Sequence, residues 1–353
     1  MPEQELYEDL LLFAGFATVG DVMDLTGENR ILVKEALKLL KTTSHPGISA
    51  LIEVNEISRE TISAFHIGFV LGPCINASGR LDTAKRALEL LKTTDYEKAL
   101  VKAAELKALN DERKSMTDDG VQQALDQIEN SDMKRDRVLV IYLPDCHESL
   151  AGIIAGRIRE RYYRPVFVLT RSQDGVKGSG RSIETYSMFE EMSKCKELYT
   201  KYGGHSMAAG VSMPEEHVEK FRKRLNELCT LTEKDLTEVV RIDIAMPFSY
   251  VSERLVEELS LLEPFGKGNS KPVFAAKGVQ VLETRVLGKN QNVLRLKLKD
   301  ESGTTMDGIY FSDQMNEVLK TMQQKPRLAF LYYPEINEFR GQRTLQLRIL
   351  DYC

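Results

Sequence analysis

Residues 138–170 read VLVIYLPDCHESLAGIIAGRIRERYYRPVFVLT. Val138 to Leu143 is a short, wholly apolar run of the length of one buried strand. Ser149 to Tyr162 has the spacing of a helix, and the run after Pro165, VFVLT, reads as a second strand. Two buried strands joined by one helix place this region in the α/β class. His147 and Glu148 fall between the first strand and the helix, at the strand end where open α/β sheets bind ligands. Cys146 and His147 beside Asp145 suggest zinc, but no second ligand pair stands at a suitable spacing, so zinc is rejected.

Downstream come two glycine-bearing strands. Gly178-Ser179-Gly180-Arg181-Ser182 puts glycines around an arginine. That suits a guanidinium aimed at phosphate in a bidentate geometry, though a hairpin with a surface arginine reads the same way. Gly203-Gly204-His205-Ser206-Met207-Ala208-Ala209-Gly210 is the sharper signal. Backbone amides at paired glycines approach an anion closely, and His205 can donate to a phosphate oxygen. Ala208, Ala209 and Gly210 are small enough for the strand to pass close behind such a site. The alternative is a tight turn before a buried strand. Both motifs in one α/β region shift the balance towards phosphate. His217 to Leu228 reads as a further helix.

After about Val240 the pattern turns to period two. Leu294, Leu296 and Leu298 alternate with Arg295, Lys297 and Lys299, and Leu345, Leu347 and Ile349 with Gln346 and Arg348. One apolar face per strand describes a small barrel or sandwich. Tyr310, Phe311, Tyr332 and Tyr333 are candidates to stack on bases. Upstream of residue 138, Ala84, Leu88 and Leu91 predict one helix face, and Thr94 with Glu97 a capping box that restarts the helix. The periodicity then runs to Ile128 as a long strut. GPCINASGR, residues 72–80, reads as a turn-rich stretch in which Asn76 and Arg80 either reach a ligand or cap the strut. Leu10 to Val19, LLLFAGFATV, suits a buried strand or helix, with Asp21 after it as a metal ligand or a helix cap.

Apolar residues make up 42% and charged residues 29% of the 353, as in a soluble globular protein of two or three domains. No apolar run approaches the roughly 20 residues a membrane helix needs. The acidic start, MPEQELYEDL, is unlike a signal or transit peptide. Five scattered cysteines without a CxxC pair point to a reducing cytoplasm. The net charge of −5 excludes a bulk polycation. Charge is uneven, however. Residues 1–30 hold seven carboxylates and one arginine, while residues 264–299 hold eight Lys or Arg and one Glu. The first suits metal ions and the second a phosphate backbone.

In this order the pieces resemble the RecJ family of DHH phosphoesterases. Ala17 to Met23 resembles the family's last metal-binding motif, GPCINASGRLDTA (72–84) its inter-domain motif, and HESLAGIIAGR (147–157) the start of its DHH-associated domain. GSGRS and GGHSMAAG are similar to that domain's substrate-binding motifs, and Glu263 to Asn269 to the start of the family's oligonucleotide-binding barrel. The resemblance implies four parts: a remnant of the DHH domain (1–70), inter-domain motif and connecting helices (71–132), a DHH-associated α/β domain (133–232) and an OB-fold barrel (233–353). It implies a metal-dependent exonuclease that removes nucleotides from the 5′ end of single-stranded DNA, in DNA repair and recombination. Arg181, Ser182, Gly203, Gly204, His205, His147, Asn76 and Arg80 would bind the end of the strand. Lys267, Lys271, Lys289, Arg295, Lys297 and Lys299 would follow its backbone along the barrel. The family holds two Mn²⁺ or Mg²⁺ ions. Of their ligands only Asp21 is matched here, because the DYDVDG-like motif and the DHH triplet are absent from the sequence. The expectation is a chain inactive alone, which either is completed by a separate polypeptide that carries those motifs or is a fragment or the product of an interrupted gene. A non-catalytic single-stranded nucleic-acid adaptor and a phosphodiesterase of short oligonucleotides are the other readings.

Overall fold

The computed structural model describes residues 3–288, 290–339 and 341–353. Lys289, one of the expected backbone contacts, lies outside the described residues. Compactness divides the chain into two units, residues 1–41 with 240–353, and residues 42–239. The first 41 residues therefore group with the C-terminal unit, whereas motif order groups them with residues 42–70.

Helices α1 (Glu3–Gly20) and α2 (Gly27–Thr42) open the first unit. LLLFAGFATV is thus helical, with Leu12 and Phe16 buried and Leu10 exposed. Asp21 follows a helix, in an exposed turn.

The second unit begins with α3 (Pro46–Val54), capped by His45, whose ring nitrogen accepts from the Ile48 amide at 3.3 Å. Next come α4 (Ala64–His66), one π turn (Ile67–Leu71) and α5 (Gly72–Leu81). GPCINASGR is therefore helix, not turn. Pro73 sits in the first turn of α5, where its missing N–H costs nothing. Gly72 is required because a Cβ there would lie 2.7 Å from the Ile67 carbonyl oxygen. Cys74, Ala77 and Ser78 are buried. In α6 (Lys85–Lys92) the buried face is Ala87 and Leu90, while Leu88 is exposed, one step round from the expected face. The cap of α7 (Tyr96–Glu129) is Asp95, whose carboxylate accepts from the Lys98 amide at 3.2 Å, rather than Thr94. Ala99, Ala103, Leu106, Asn110, Thr117, Gly120, Ala124 and Ile128 are the buried residues of this 34-residue helix.

The α/β sheet has the order β1-β2-β3-β5-β4. Its strands are β1 (Leu139–Tyr142), β2 (Val166–Ser172), β3 (Gly175–Arg181), β4 (Lys201–Gly204) and β5 (Ala208–Met213). β1 and β2 are parallel and joined by α8 (Ala151–Tyr162), as residues 138–170 predict. All other pairs are antiparallel. Alternation sends Val140, Phe167, Leu169, Val176, Val211 and Met213 to one face. There they pack with Phe221 and Leu225 of α10 (Val218–Leu228) and Met188 and Met192 of α9 (Met188–Ser193). Leu139, Ile141, Val166 and Val168 go to the other face, beneath α7 and α8. That cover reaches β1, β2 and part of β3, and leaves β5 and β4 open.

The chain returns to the first unit with β6 (Ile244–Ala245), α11 (Glu253–Ser260), β7 (Phe274–Leu287), β8 (Val293–Lys299) and β9 (Thr305–Phe311). Helix α12 (Met315–Gln324) leads to β10 (Leu328–Phe339) and β11 (Gln342–Tyr352). Pairing runs β7-β8-β9-β11-β10, and β10 pairs again with β7, with only β9 and β11 parallel within this ring. This is the strand order of an oligonucleotide-binding barrel. Leu294, Leu296 and Leu298 are buried inside it, with Phe248, Phe274, Phe330 and Tyr332. Among the described residues no helix is long and apolar enough to cross a membrane.

Candidate nucleotide-binding site

The open face of the α/β sheet is built rung by rung. On β3 the residues facing it are Lys177, Ser179 and Arg181. Their partners on β5 are Ser212, Gly210 and Ala208. Lys201 and Gly203 of β4 pair in turn with Ser212 and Gly210. The His205 amide donates to the Ala208 carbonyl at 2.8 Å, so His205 continues the Arg181–Ala208 rung. Arg181 and His205 thus stand one strand either side of Ala208, about 10 Å apart at their backbones from two strand spacings. Gly204 permits the tight pairing at this end, since a Cβ would lie 2.4 Å from the Ala208 carbonyl oxygen.

The Arg181 guanidinium is half-buried. One terminal nitrogen donates to Ser179 Oγ at 3.0 Å and to the Gly180 carbonyl at 2.7 Å. Gly152, in the first turn of α8, makes room for it, because a Cβ there would lie 2.7 Å from the other terminal nitrogen. Burial lowers the Arg181 pKa, and Arg80 and Arg159 lower it further. Arg80 leaves α5 to donate to the Ser149 carbonyl at 3.1 Å. Arg113 of α7 donates twice to Asn110 Oδ1, at 3.1 and 3.0 Å, and is also lowered by burial first and then by Arg80 and Arg157. Among the described residues of this group, Arg157 pairs with Asp118 and Arg159 with Glu160, whereas Arg181, Arg80 and Arg113 have no carboxylate partner. Neighbouring arginines that depress one another, with few counter-charges, favour an anionic ligand.

The other expected residues fall less evenly. His147 is exposed and caps the turn before α8, with its ring nitrogen 2.8 Å from Ser149 Oγ. Asn76 and Arg80 are exposed one turn apart on α5. Ser182 is 1% exposed and its hydroxyl donates to the Tyr186 carbonyl at 2.6 Å. One residue past Arg181, it points away from the open face, so its side chain is structural. Of the small residues after His205 only Ala209 is buried, and Gly210 is exposed. Ser179 lay inside the GSGRS motif without a role of its own, and Gly152, Arg113, Lys177 and Lys201 escaped the sequence reading. Of those four, Gly152 carried a local signal, in the small-residue start of LAGIIAG.

On the barrel the expected cations face outward but mostly have partners. Lys267 pairs with Asp24 at 3.0 Å and Arg295 with Asp307 at 2.9 Å. Lys297 lies in register between Glu283 and Asp307. Lys271 sits over the Tyr333 ring, 4.6 Å from its centroid, and Lys299 is exposed at the end of β8. Of the four candidate stacking rings, Tyr332 is core, its hydroxyl donating to the Met246 carbonyl at 2.7 Å, and Tyr333 is 6% exposed. Tyr310 is half-buried. Phe311 alone is broadly exposed, at 44%, with the Arg348 guanidinium 3.7 Å above its ring.

Asp21 is exposed, and Asp24 beside it is held by Lys267. Among the described residues no three His, Cys, Asp or Glu side chains gather into a group that could hold a metal ion. One orphan carboxylate does not fit a two-metal centre, which needs several ligands.

Residues 135–231 match the DHHA1 domain and residues 242–351 the RecJ OB domain. The single-stranded-DNA-specific exonuclease RecJ of Bacillus subtilis is 31% identical over 356 residues, covering 98% of this chain and 44% of that protein. The one from Salmonella typhimurium is 34% identical, covering 97% and 61%. The crystal structure of RecJ in complex with Mg²⁺ from Thermus thermophilus superposes with a TM-score of 0.83 at 28% identity, over 100% of this chain and 52% of that one. The chain belongs to the RecJ family. It spans about half the length of the RecJ proteins it matches. The Thermus RecJ has also been crystallised with Mn²⁺. Lys177, Arg181, Lys201 and His205 lie within the DHHA1 part, Arg80 and Arg113 upstream of it, and the Phe311–Arg348 pair within the RecJ OB part.

Proposed function

We propose that this chain grips the 5′ end of single-stranded DNA for a RecJ-type exonuclease acting in DNA repair and recombination. The observation that carries the reading is the rung Arg181–Ala208–His205. It sets a planar cation and an imidazole either side of a small residue, with Arg80 and Arg113 behind the cation. A terminal phosphate in that gap receives charge-assisted hydrogen bonds from both sides. Asn76, on the helix that brings Arg80, reaches the adjoining sugar, and His147 marks the strand end where that nucleotide enters. The barrel holds the following strand on the outer face of β8 and β9, with Phe311 as the stacking ring and Arg348, Arg295, Lys297, Lys299 and Lys271 as backbone cations. Five cysteines without a disulfide suit a cytoplasmic protein.

Phosphodiester hydrolysis in this family of relatives is read as Mn²⁺- or Mg²⁺-dependent. The residues described here bring binding and orientation, and the ion-holding carboxylates come from DHH motifs on another polypeptide or domain. The test uses the purified chain with 5′-phosphorylated oligo-dT. Fluorescence anisotropy reports binding, and product sizing with Mn²⁺ reports cleavage. Binding that falls steeply with salt and is lost in Arg181→Ala and His205→Ala is expected, with cleavage only when a DHH-bearing polypeptide is added. Unchanged affinity in both variants overturns the assignment of the grip. Robust cleavage by the chain alone overturns the division of labour. Persistent binding with no cleavage in any mixture establishes the adaptor reading, and hydrolysis confined to di- and trinucleotides the short-oligonucleotide reading.

A further inference from the structure

Beside the Arg181–His205 rung the sheet surface is hollow. A trough of about 360 Å³ runs over β3, β5 and β4, lined among others by Glu148, Lys177, Ser179, Lys201, Gly210 and Ser212. Ser179 and Gly210 line its floor, and Gly203 on β4 continues their rung at its border. Its far rim is the rung Lys177–Ser212–Lys201. Lys177 is held by Glu148 at 3.0 Å, whereas Lys201 is exposed and has no carboxylate partner among the described residues.

The two glycines of the Ser179 rung, Gly210 and Gly203, differ from Gly178 and Gly180 of β3. A Cβ on Gly178 or Gly180 would strike side chains at 2.2 and 2.3 Å, so packing explains those two. A Cβ on Gly203 would meet nothing within 4 Å, and on Gly210 only the Gly178 carbonyl oxygen at 3.9 Å. Neither has a left-handed φ. Nothing within the fold requires glycine at these two positions. What their bare backbones do is keep the trough deep and offer a flat polar surface between two cationic rims. The far rim lies four residues along the strand from the Arg181 rung, about 13 Å away. One phosphate cannot touch both.

We propose that this trough is a second nucleotide subsite, in which the sugar-phosphate of an inner nucleotide lies on Gly210 and Gly203 and its phosphate meets Lys201, with Lys177 beside it. The inference rests on the reading that Arg181 and His205 hold the terminal nucleotide. Its ligand class is therefore an oligonucleotide of at least two residues rather than a mononucleotide.

The test compares binding of 5′-phosphorylated dT₃ with that of thymidine 5′-monophosphate to the full chain, by calorimetry or competition. Gly210→Val fills the trough, and Lys201→Ala removes the free cation. Each is expected to weaken dT₃ by about tenfold, the equivalent of one lost charge-assisted contact, and to leave the mononucleotide unchanged. Thermal unfolding within a degree or two of the parent shows that Gly210→Val has not simply disturbed the sheet, and Lys201→Ala tests the same claim at an exposed position. Arg181→Ala is expected to weaken both ligands. Unchanged dT₃ affinity in Gly210→Val and Lys201→Ala, with loss in Arg181→Ala, removes the second subsite and leaves the terminal grip standing. Unchanged affinity in Arg181→Ala removes the grip itself.

Discussion

The glycine face of the α/β sheet and the outer face of the barrel both carry arginines and lysines, yet they hold them differently. At the sheet, Arg181 of β3, Arg80 of α5 and Arg113 of α7 are braced by neutral oxygens of Ser179, Ser149 and Asn110 and have no carboxylate partner among the described residues. On the barrel, Arg295 and Lys267 already have carboxylates, and Lys297 has two as neighbours. A fixed, uncompensated cation recognises one phosphate in one geometry. A compensated, exposed one adds little in any single position and follows a backbone that shifts past it. Sequence alone cannot distinguish these states, because it shows the cations and not their partners.

The widest separation between the two faces is expected for Arg181→Ala, which should weaken binding of a 5′-phosphorylated oligonucleotide about a hundredfold by anisotropy. Arg181→Lys keeps the charge but not the fork, and should recover only part of that loss. If Lys restores full affinity, the sheet reads charge no more specifically than the barrel does. Next is a difference within the sheet itself. Gly180→Ala drives a Cβ against Met188 Sδ and the Phe167 ring, and should cost about 1–3 kcal/mol in urea denaturation. Gly203→Ala should fall within about 0.5 kcal/mol of the parent. Equal costs would erase the distinction between packing glycines and trough glycines.

Smaller effects belong to the barrel. Phe311→Ala should weaken strands long enough to reach it by about tenfold, by the usual worth of one stacked base, and leave dT₃ unaffected. Least is expected of Asp307→Asn, which frees Arg295. A two- to threefold gain in affinity at low salt, fading as salt rises, is the expected anisotropy result. A loss in that variant would mean that the Asp307–Arg295 pair shapes the surface rather than tempering it.

The α/β core was legible because its strands are short apolar runs and its helix has clear periodicity. The barrel strands were legible because Leu294, Leu296 and Leu298 alternate without interruption. GPCINASGR was misread because Gly, Pro, Asn and Ser are turn formers by local propensity. Tertiary packing overrides that here, with Cys74 and Ala77 buried and Gly72 clearing the Ile67 carbonyl. The one-residue slip in the buried face of α6 has a similar origin, since Ala87 and Leu90 offer a stripe no weaker than Leu88 and Leu91. Arg181 and His205 were visible as motifs, but their shared rung depends on a register that spans β3, β5 and β4. Ser182 was miscast because a motif does not say which strand residues face which way. Lys267 and Asp24 pair across most of the chain length, beyond any local reading.

β4 is one edge of the α/β sheet, four residues long and exposed throughout. A bare strand edge can template pairing with another molecule, and proteins commonly guard such edges by shortness and by lysine. Lys201 and the brevity of β4 supply both, and Gly203 and Gly204 are poor strand formers at the same margin. The residues proposed to keep this border receptive to a polynucleotide are thus also of the kind that guards an edge against aggregation. Lengthening or stiffening β4 to tighten binding would be expected to cost solubility first.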